Sequence, residues 1–213
     1  MNFIKSFFKP EGGWEGDSGF RLIFDKSSFI SELVEGRDVL DCGCVGDRDE
    51  DLLVHELIRS KAGSCVGVDV NEGKIRGLKA RGFDVLCQDV EKLDLKKKFD
   101  VVFAGELLEH LNDSGLFLEK AREHLKKDGR ILLTTPNPYY LTMIFRNLLG
   151  IRVLVNPEHT CWFTPETLKT LLEKAGFTVE QTLYCQHKSR WWINWLVGFR
   201  KNLARTIIAV AKR

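Results

Sequence analysis

Residues 39–47 read VLDCGCVGD. An apolar run, within the strand candidate 38–42, passes directly into Asp41-x-Gly43-x-x-Gly46. Continuous apolar character suits a strand buried on both faces. Glycine at its carboxyl end permits a tight turn and lets a ligand approach the backbone. A glycine turn alone is equally compatible with a purely structural bend, so its neighbourhood decides its meaning.

Downstream, strand patterns alternate with helix patterns. Residues 48–60 predict a helix with acids in its first turn, where they complement the helix dipole. Residues 65–70 predict a second strand, and Asn71 caps a helix over 72–81. Third and fourth strands are expected at 83–87 and 99–105. Asn112 or Asp113 opens a helix carrying Leu118, Ala121 and Leu125, with Gly129 as its stop. Residues 130–135 form a fifth strand closed by Pro136. Thr164 followed by Pro165 starts a helix that Gly176 ends, and strands at 177–185 and 205–211 complete the series. The fold class expected is α/β: a Rossmann-like, doubly wound, mostly parallel seven-stranded sheet with helices on both faces. Pattern alone leaves the pairing of the last two strands open.

The 213 residues, 44% hydrophobic and 29% charged with a net charge of +2, suit one domain with a full core. Within it, 1–35 reads as a helical cap, 37–138 as a cofactor-binding half, 139–160 as a lid-like insert and 161–213 as a substrate-side half. A near-neutral charge offers no nucleic-acid footprint. Six cysteines, at 42, 44, 65, 87, 161 and 185, include no C-x-x-C pair and no zinc set. They fit a reducing cytoplasm. No run of roughly 18 uncharged apolar residues exists, so no membrane span is expected.

Three acids follow the strand tips. Asp69 ends the second strand, where a carboxylate accepts hydrogen bonds from ribose hydroxyls. Asp89 follows the third. Asp41 stands in the first turn, which reads D-x-G-x-x-G and lacks the first glycine of the dinucleotide fingerprint. Its charge would repel a pyrophosphate but suits a sulfonium ligand carrying an ammonium group.

At these residues the chain resembles the class I S-adenosylmethionine-dependent methyltransferases, in particular the small-molecule branch related to ubiquinone-biosynthesis O-methyltransferases. The matching pieces, over roughly 37–185, are VLDCGCVGD, VGVDVN, CQDVEKL, FDVVFAGELLEHL, LKKDGRILLTTPNP and HTCWFTPETLKTLLEKAGF. The resemblance implies S-adenosyl-L-methionine as cofactor. It implies Gly43, Cys44 and Gly46 beside the methionine part, Asp41 organising that loop, and Asp69 with Val70 at the ribose. It places Asp89 at the adenine amino group with the Val90 N–H, and Ala104 to Glu106 facing the methyl group. Cys42 and Cys44 stand where the family often carries Gly or Ala, and both are small enough to fit.

A hydroxyl acceptor needs a base, and two histidines qualify: His159, just before the Thr164 helix, and His110, after the fourth strand. His55, His124 and His187 read as solvated or structural. The spacing of Glu106, Glu109 and His110 resembles a metal-binding triplet of the ubiquinone-pathway enzymes, but no metal is expected. Residues 135–140 (TPNPYY) resemble an amino-methylation motif that belongs after a different strand, and read as an exit turn. The apolar insert 139–155 is expected to be a lid or a packed helix. The stripe Trp192, Trp195, Leu196, Phe199 and Leu203 is read as core or lid packing. The alternative is peripheral contact with a membrane through 190–205 and the Phe3, Ile4, Phe7, Phe8 stripe of 1–10. Trp14 covers the cofactor or anchors its loop. The expected partner is a small-molecule, glycan-precursor or lipid-like acceptor, methylated at oxygen, with no nucleic acid. The competing readings are a nucleotide-cofactor oxidoreductase and a non-catalytic scaffold of the same fold.

Overall fold

The computed structural model describes residues 20–45, 49–153, 155–186 and 191–213, and for 49–52 the backbone alone. Gly46, Trp14, His187 and the 1–10 stripe lie outside the described residues.

The elements run β1 (Arg21–Ile23), α1 (Lys26–Val34), β2 (Asp38–Cys42), α2 (Asp49–Lys61), β3 (Ser64–Asp69), α3 (Glu72–Ala80), β4 (Val85–Cys87), β5 (Phe99–Gly105), α4 (Ser114–His124), β6 (Leu125–Pro136), α5 (Leu141–Leu148), α6 (Pro165–Lys174), β7 (Thr178–Cys185), α7 (Trp191–Phe199) and β8 (Thr206–Lys212). One sheet has the order β1-β7-β8-β6-β5-β2-β3-β4. Every pairing is parallel except those of β8, which runs antiparallel to both β6 and β7. The sheet has eight strands rather than seven. The extra one is β1, in the stretch expected to be wholly helical. Its alternation sends Leu22 to one apolar layer and Ile23 to the other, which a helix there would not do.

Both faces of the sheet are buried. Leu40, Val102, Ala104, Ile131 and Ile207 pack in one layer, and Val39, Val101, Phe103, Leu132 and Ile208 in the other. This is why the strands read as unbroken apolar runs.

Caps fall where the sequence puts them. Asn71 accepts from Lys74 N at 3.1 Å, and Asp113 rather than Asn112 accepts from Leu116 N at 2.9 Å. Thr164 and Thr167 form a reciprocal capping box around Pro165.

Two further expectations fail. Gly129 does not stop α4. Leu125 has already turned extended and pairs with Phe99, so the helix ends at His124. Gly129 instead lies within β6, where a Cβ would come 2.9 Å from Leu125 Cδ2. Of the C-terminal stripe, Leu203 packs against the core, but Trp192, Trp195 and Phe199 are exposed. The inward positions of α7 are Val197 and Ile193, leaving Trp191, Trp195 and Phe199 exposed. No described helix is long and apolar enough to cross a membrane.

Candidate cofactor and acceptor site

The chain's path reverses direction at β2, which pairs with β3 on one side and β5 on the other. Such a switch point opens a crevice at the carboxyl ends of the strands. Gly43 ends β2 with φ +75°, a left-handed value that glycine adopts without strain. Its N–H and that of Cys44 donate to Val68 O at 2.8 and 3.2 Å, curling the loop onto β3. Cys44 is buried beneath that loop, in a cluster with Ile75 and Leu78.

The cleft above β2 and β5 is lined by Lys26, Asp41, Gly43, Val54, Phe103, Gly105 and Glu106. Asp41 is almost fully buried, with Oδ2 2.7 Å from His55 Nδ1 on α2. Burial pushes its carboxyl above the usual range, and the His55 hydrogen bond pulls the other way. Space for this pair comes from Gly67 on β3, where a Cβ would lie 2.8 Å from His55 Cε1 and 2.7 Å from Cys44 Sγ.

Glu106 follows β5 with φ +52°, the single non-glycine positive φ among the described residues. A long side chain held there marks a constrained position. Its N–H donates to Thr134 O at 2.8 Å, its Oε1 accepts from Thr134 Oγ1 at 3.1 Å, and Lys26 Nζ stands 3.8 Å away. Ala104 lies beneath the cleft, wholly buried, and Gly105 takes the lining position expected of it.

Asp69 and Asp89 occupy the next two strand tips rather than the enclosed part of the cleft. Asp69 accepts from Val45 N at 3.2 Å and Asn71 N at 2.9 Å, which fixes both oxygens at the end of β3. Val70 is exposed beside it. Asp89 caps the short 3₁₀ turn Val90–Lys92, accepting from Glu91 N at 3.0 Å, with Lys92 Nζ 3.3 Å from its other oxygen. Val90 is buried.

Beyond the cleft, the two base candidates meet. The His110 and His159 rings stand edge to face with centroids 4.7 Å apart, and Trp162 flanks His159 at 5.4 Å. Thr160 clamps the turn bearing His159 to this point, its N donating to Glu109 O at 2.8 Å. The Glu109 side chain is fully buried. Its Oε2 accepts from Thr135 Oγ1 at 3.0 Å, and its Oε1 has no partner among the described residues. Burial, reinforced by the charge of Glu106, pushes its pKa to about 8. Ligating atoms of Glu109, His110 and His159 lie within 4.8 Å of one another, close enough to share one cation. The Glu106, Glu109, His110 triplet that the spacing resembles is therefore not the one assembled: Glu106 turns into the cleft, and His159 stands with Glu109 and His110.

Sequence reasoning did not assign Lys26 or His55 to this site. Both arrive from helices with no motif around them. Gly67, an otherwise unexplained glycine inside a strand pattern, was the available signal for His55.

The family model described as a methyltransferase domain matches residues 17–182. The chain belongs to the methyltransferase-domain family. It is 32% identical over 161 residues to a probable S-adenosylmethionine-dependent methyltransferase of Mycolicibacterium smegmatis, a match covering 74% of this chain and 58% of that protein's length. It is 29% identical over 183 residues to a ubiquinone biosynthesis O-methyltransferase of Bradyrhizobium diazoefficiens, covering 79% and 70% of the two chains. The crystal structure of an Archaeoglobus fulgidus S-adenosylmethionine-dependent methyltransferase shares the fold, with a TM-score of 0.60 at 24% identity over 87% of this chain and 90% of that one.

Membership makes S-adenosylmethionine the cofactor of this methyltransferase. The residues fit it: two carboxylates, Asp41 and Glu106, face the cleft beside the Gly43 and Gly105 backbone. Those carboxylates suit a cationic ligand, and it is membership of the family that disposes of the oxidoreductase alternative.

Proposed function

We propose that this methyltransferase transfers a methyl group to an oxygen of a small-molecule acceptor, within a class that includes glycan precursors and lipid-like compounds. The observation that carries the reading is the convergence of Asp41, Gly43, Gly105 and Glu106, from two adjacent strand ends, on one acidic cleft in a chain of this family. The relatives named for ubiquinone biosynthesis O-methylation support an oxygen acceptor of low molecular mass.

In this reading Gly43 carries the loop along the methionine part of the cofactor, with Cys44 buried as its support. Asp41 and Glu106 supply counter-charge. Asp69 accepts from the ribose hydroxyls, with Val70 covering the sugar from its exposed position. Asp89 and the Val90 N–H take the adenine edge. Bound S-adenosylmethionine supplies an electrophilic methyl group on a sulfonium. His159 would take the proton of the acceptor hydroxyl, with the His110 ring edge-on beside it to steady it. Alignment in a dry pocket supplies much of the remaining acceleration.

The test is transfer of isotopically labelled methyl groups to a library of hydroxylated small molecules. A preparation with bound cofactor and an active acceptor is expected to lose on the order of 10²–10⁴-fold in kcat on His159→Ala, with cofactor affinity unchanged. An undiminished kcat in the folded variant removes His159 from the reaction. Labelling of nitrogen acceptors alone removes the oxygen assignment.

A further inference from the structure

Two helices leave large apolar side chains facing solvent. On α7, Trp191 and Phe199 expose 80% and 74% of their surface, with Trp195 exposed against the Phe199 ring. On and just after α5, Leu148 and Leu149 expose 77% and 70%, with Phe145 also exposed. A chain that buries Val197 and Leu141 from these same helices has apolar residues to spare on their other faces.

The two faces share one edge of the molecule. Both β6 and β7 run antiparallel to β8, so they are parallel to each other and end at the same edge. β5 is parallel to β6, so the cleft at its carboxyl end opens at that edge too. α5 follows β6, and α7 follows β7. Asn137, just before α5, locks them together: its Nδ2 donates to Asn202 O at 2.7 Å and Ala204 O at 2.6 Å, beyond the end of α7.

The segments that carry them are basic in sequence. No Asp or Glu occurs between Asp128 and Glu158, and none after Glu180. Arg152, Arg200 and Arg205 are exposed within those stretches. Exposed aromatic and aliphatic side chains on segments that carry arginine and no acid match the headgroup boundary of an anionic bilayer. There the apolar groups leave water and each cation gains roughly 1 kcal/mol near the surface. A protein partner would not require the absence of acids.

We propose that α5 and α7 form a docking surface for anionic membrane lipid, with the cofactor cleft opening at the edge that lies against the bilayer. The inference stands apart from the identity of the acceptor, since lipid binding is read without turnover.

The experiment is flotation of the full chain with vesicles of phosphatidylcholine alone or mixed with phosphatidylglycerol, alongside tryptophan emission. The chain is expected to float with the anionic vesicles and to be released by salt, its emission shifting to the blue. Two variants, Trp191→Ser/Trp195→Ser/Phe199→Ser and Leu148→Ser/Leu149→Ser, should each weaken partitioning by about tenfold or more. Their circular dichroism and cofactor affinity should be unchanged, because exposed positions are replaced. Wild-type protein that stays behind, or variants that float as well as wild type, overturn the proposal. So does self-association that the same substitutions abolish without any vesicle binding. Flotation lost only on replacing Phe3, Phe7 and Phe8 moves the contact to the N-terminal segment and overturns it equally.

Discussion

Glu109 sits where a carboxylate is hardest to keep charged. It is fully buried, has one hydroxyl partner in Thr135, and lies near the charge of Glu106, so its pKa rises from 4.5 to about 8. A carboxyl whose pKa is higher in the folded than in the unfolded chain favours folding fully below its unfolded value. That contribution is lost as the pH climbs through the folded value. Between pH 4.5 and 8 the loss runs at about 1.4 kcal/mol per pH unit. Glu109→Gln keeps an acceptor for Thr135 and cannot ionise. Urea midpoints measured across that window should decline for the wild type and decline less for the variant. Parallel declines would show that Glu109 does not titrate on folding. At this scale, legibility followed sequence distance. Asp41, Gly43 and Asp69 were readable because each sits in or directly after a strand that announces itself. His55 lies 14 positions along the chain from Asp41, which it reaches through loop and helix, and Lys26 reaches Glu106 from a helix that no motif flags.

Several elements were legible where a cap or a glycine in left-handed backbone marks their end. α6 is the clearest case, with Pro165 at its first position, Thr164 and Thr167 bonded reciprocally, and Gly176 at φ +82° just past its end. Thr164→Ala should therefore cost about 1 kcal/mol, read as a lower denaturant midpoint at constant slope, with cofactor affinity unchanged. No loss of stability would mean that the box is ornamental. Where an element ends for tertiary reasons, local reading failed. Leu125 follows the helical spacing of α4 yet leaves it to enter the sheet beside Phe99, because a fully buried strand position outweighs one more helical residue. The α7 stripe failed for a related reason. Trp191, Trp195 and Phe199 repeat every four residues, as do Ile193 and Val197, and spacing alone does not say which row faces in.

The described residues form one sheet with two apolar layers, reversed in order at β2. That architecture was readable from alternation of strand and helix patterns. The antiparallel β8 and the added β1 were not, because neither short, apolar strand carries a signal of its neighbours. The central claim concerns the carboxyl edge of that sheet: adjacent strand tips hold one adenosyl cofactor, with Asp69 on its ribose. Calorimetric titration of wild type and Asp69→Ala with S-adenosylmethionine, and with NAD as control, tests it most directly. The account predicts single-site binding by the wild type, none of NAD, and an affinity lower by about tenfold or more in the variant, as loss of a charged acceptor of hydrogen bonds requires. Equal affinity in a folded Asp69→Ala protein, or tight binding of NAD in place of the sulfonium, would contradict it.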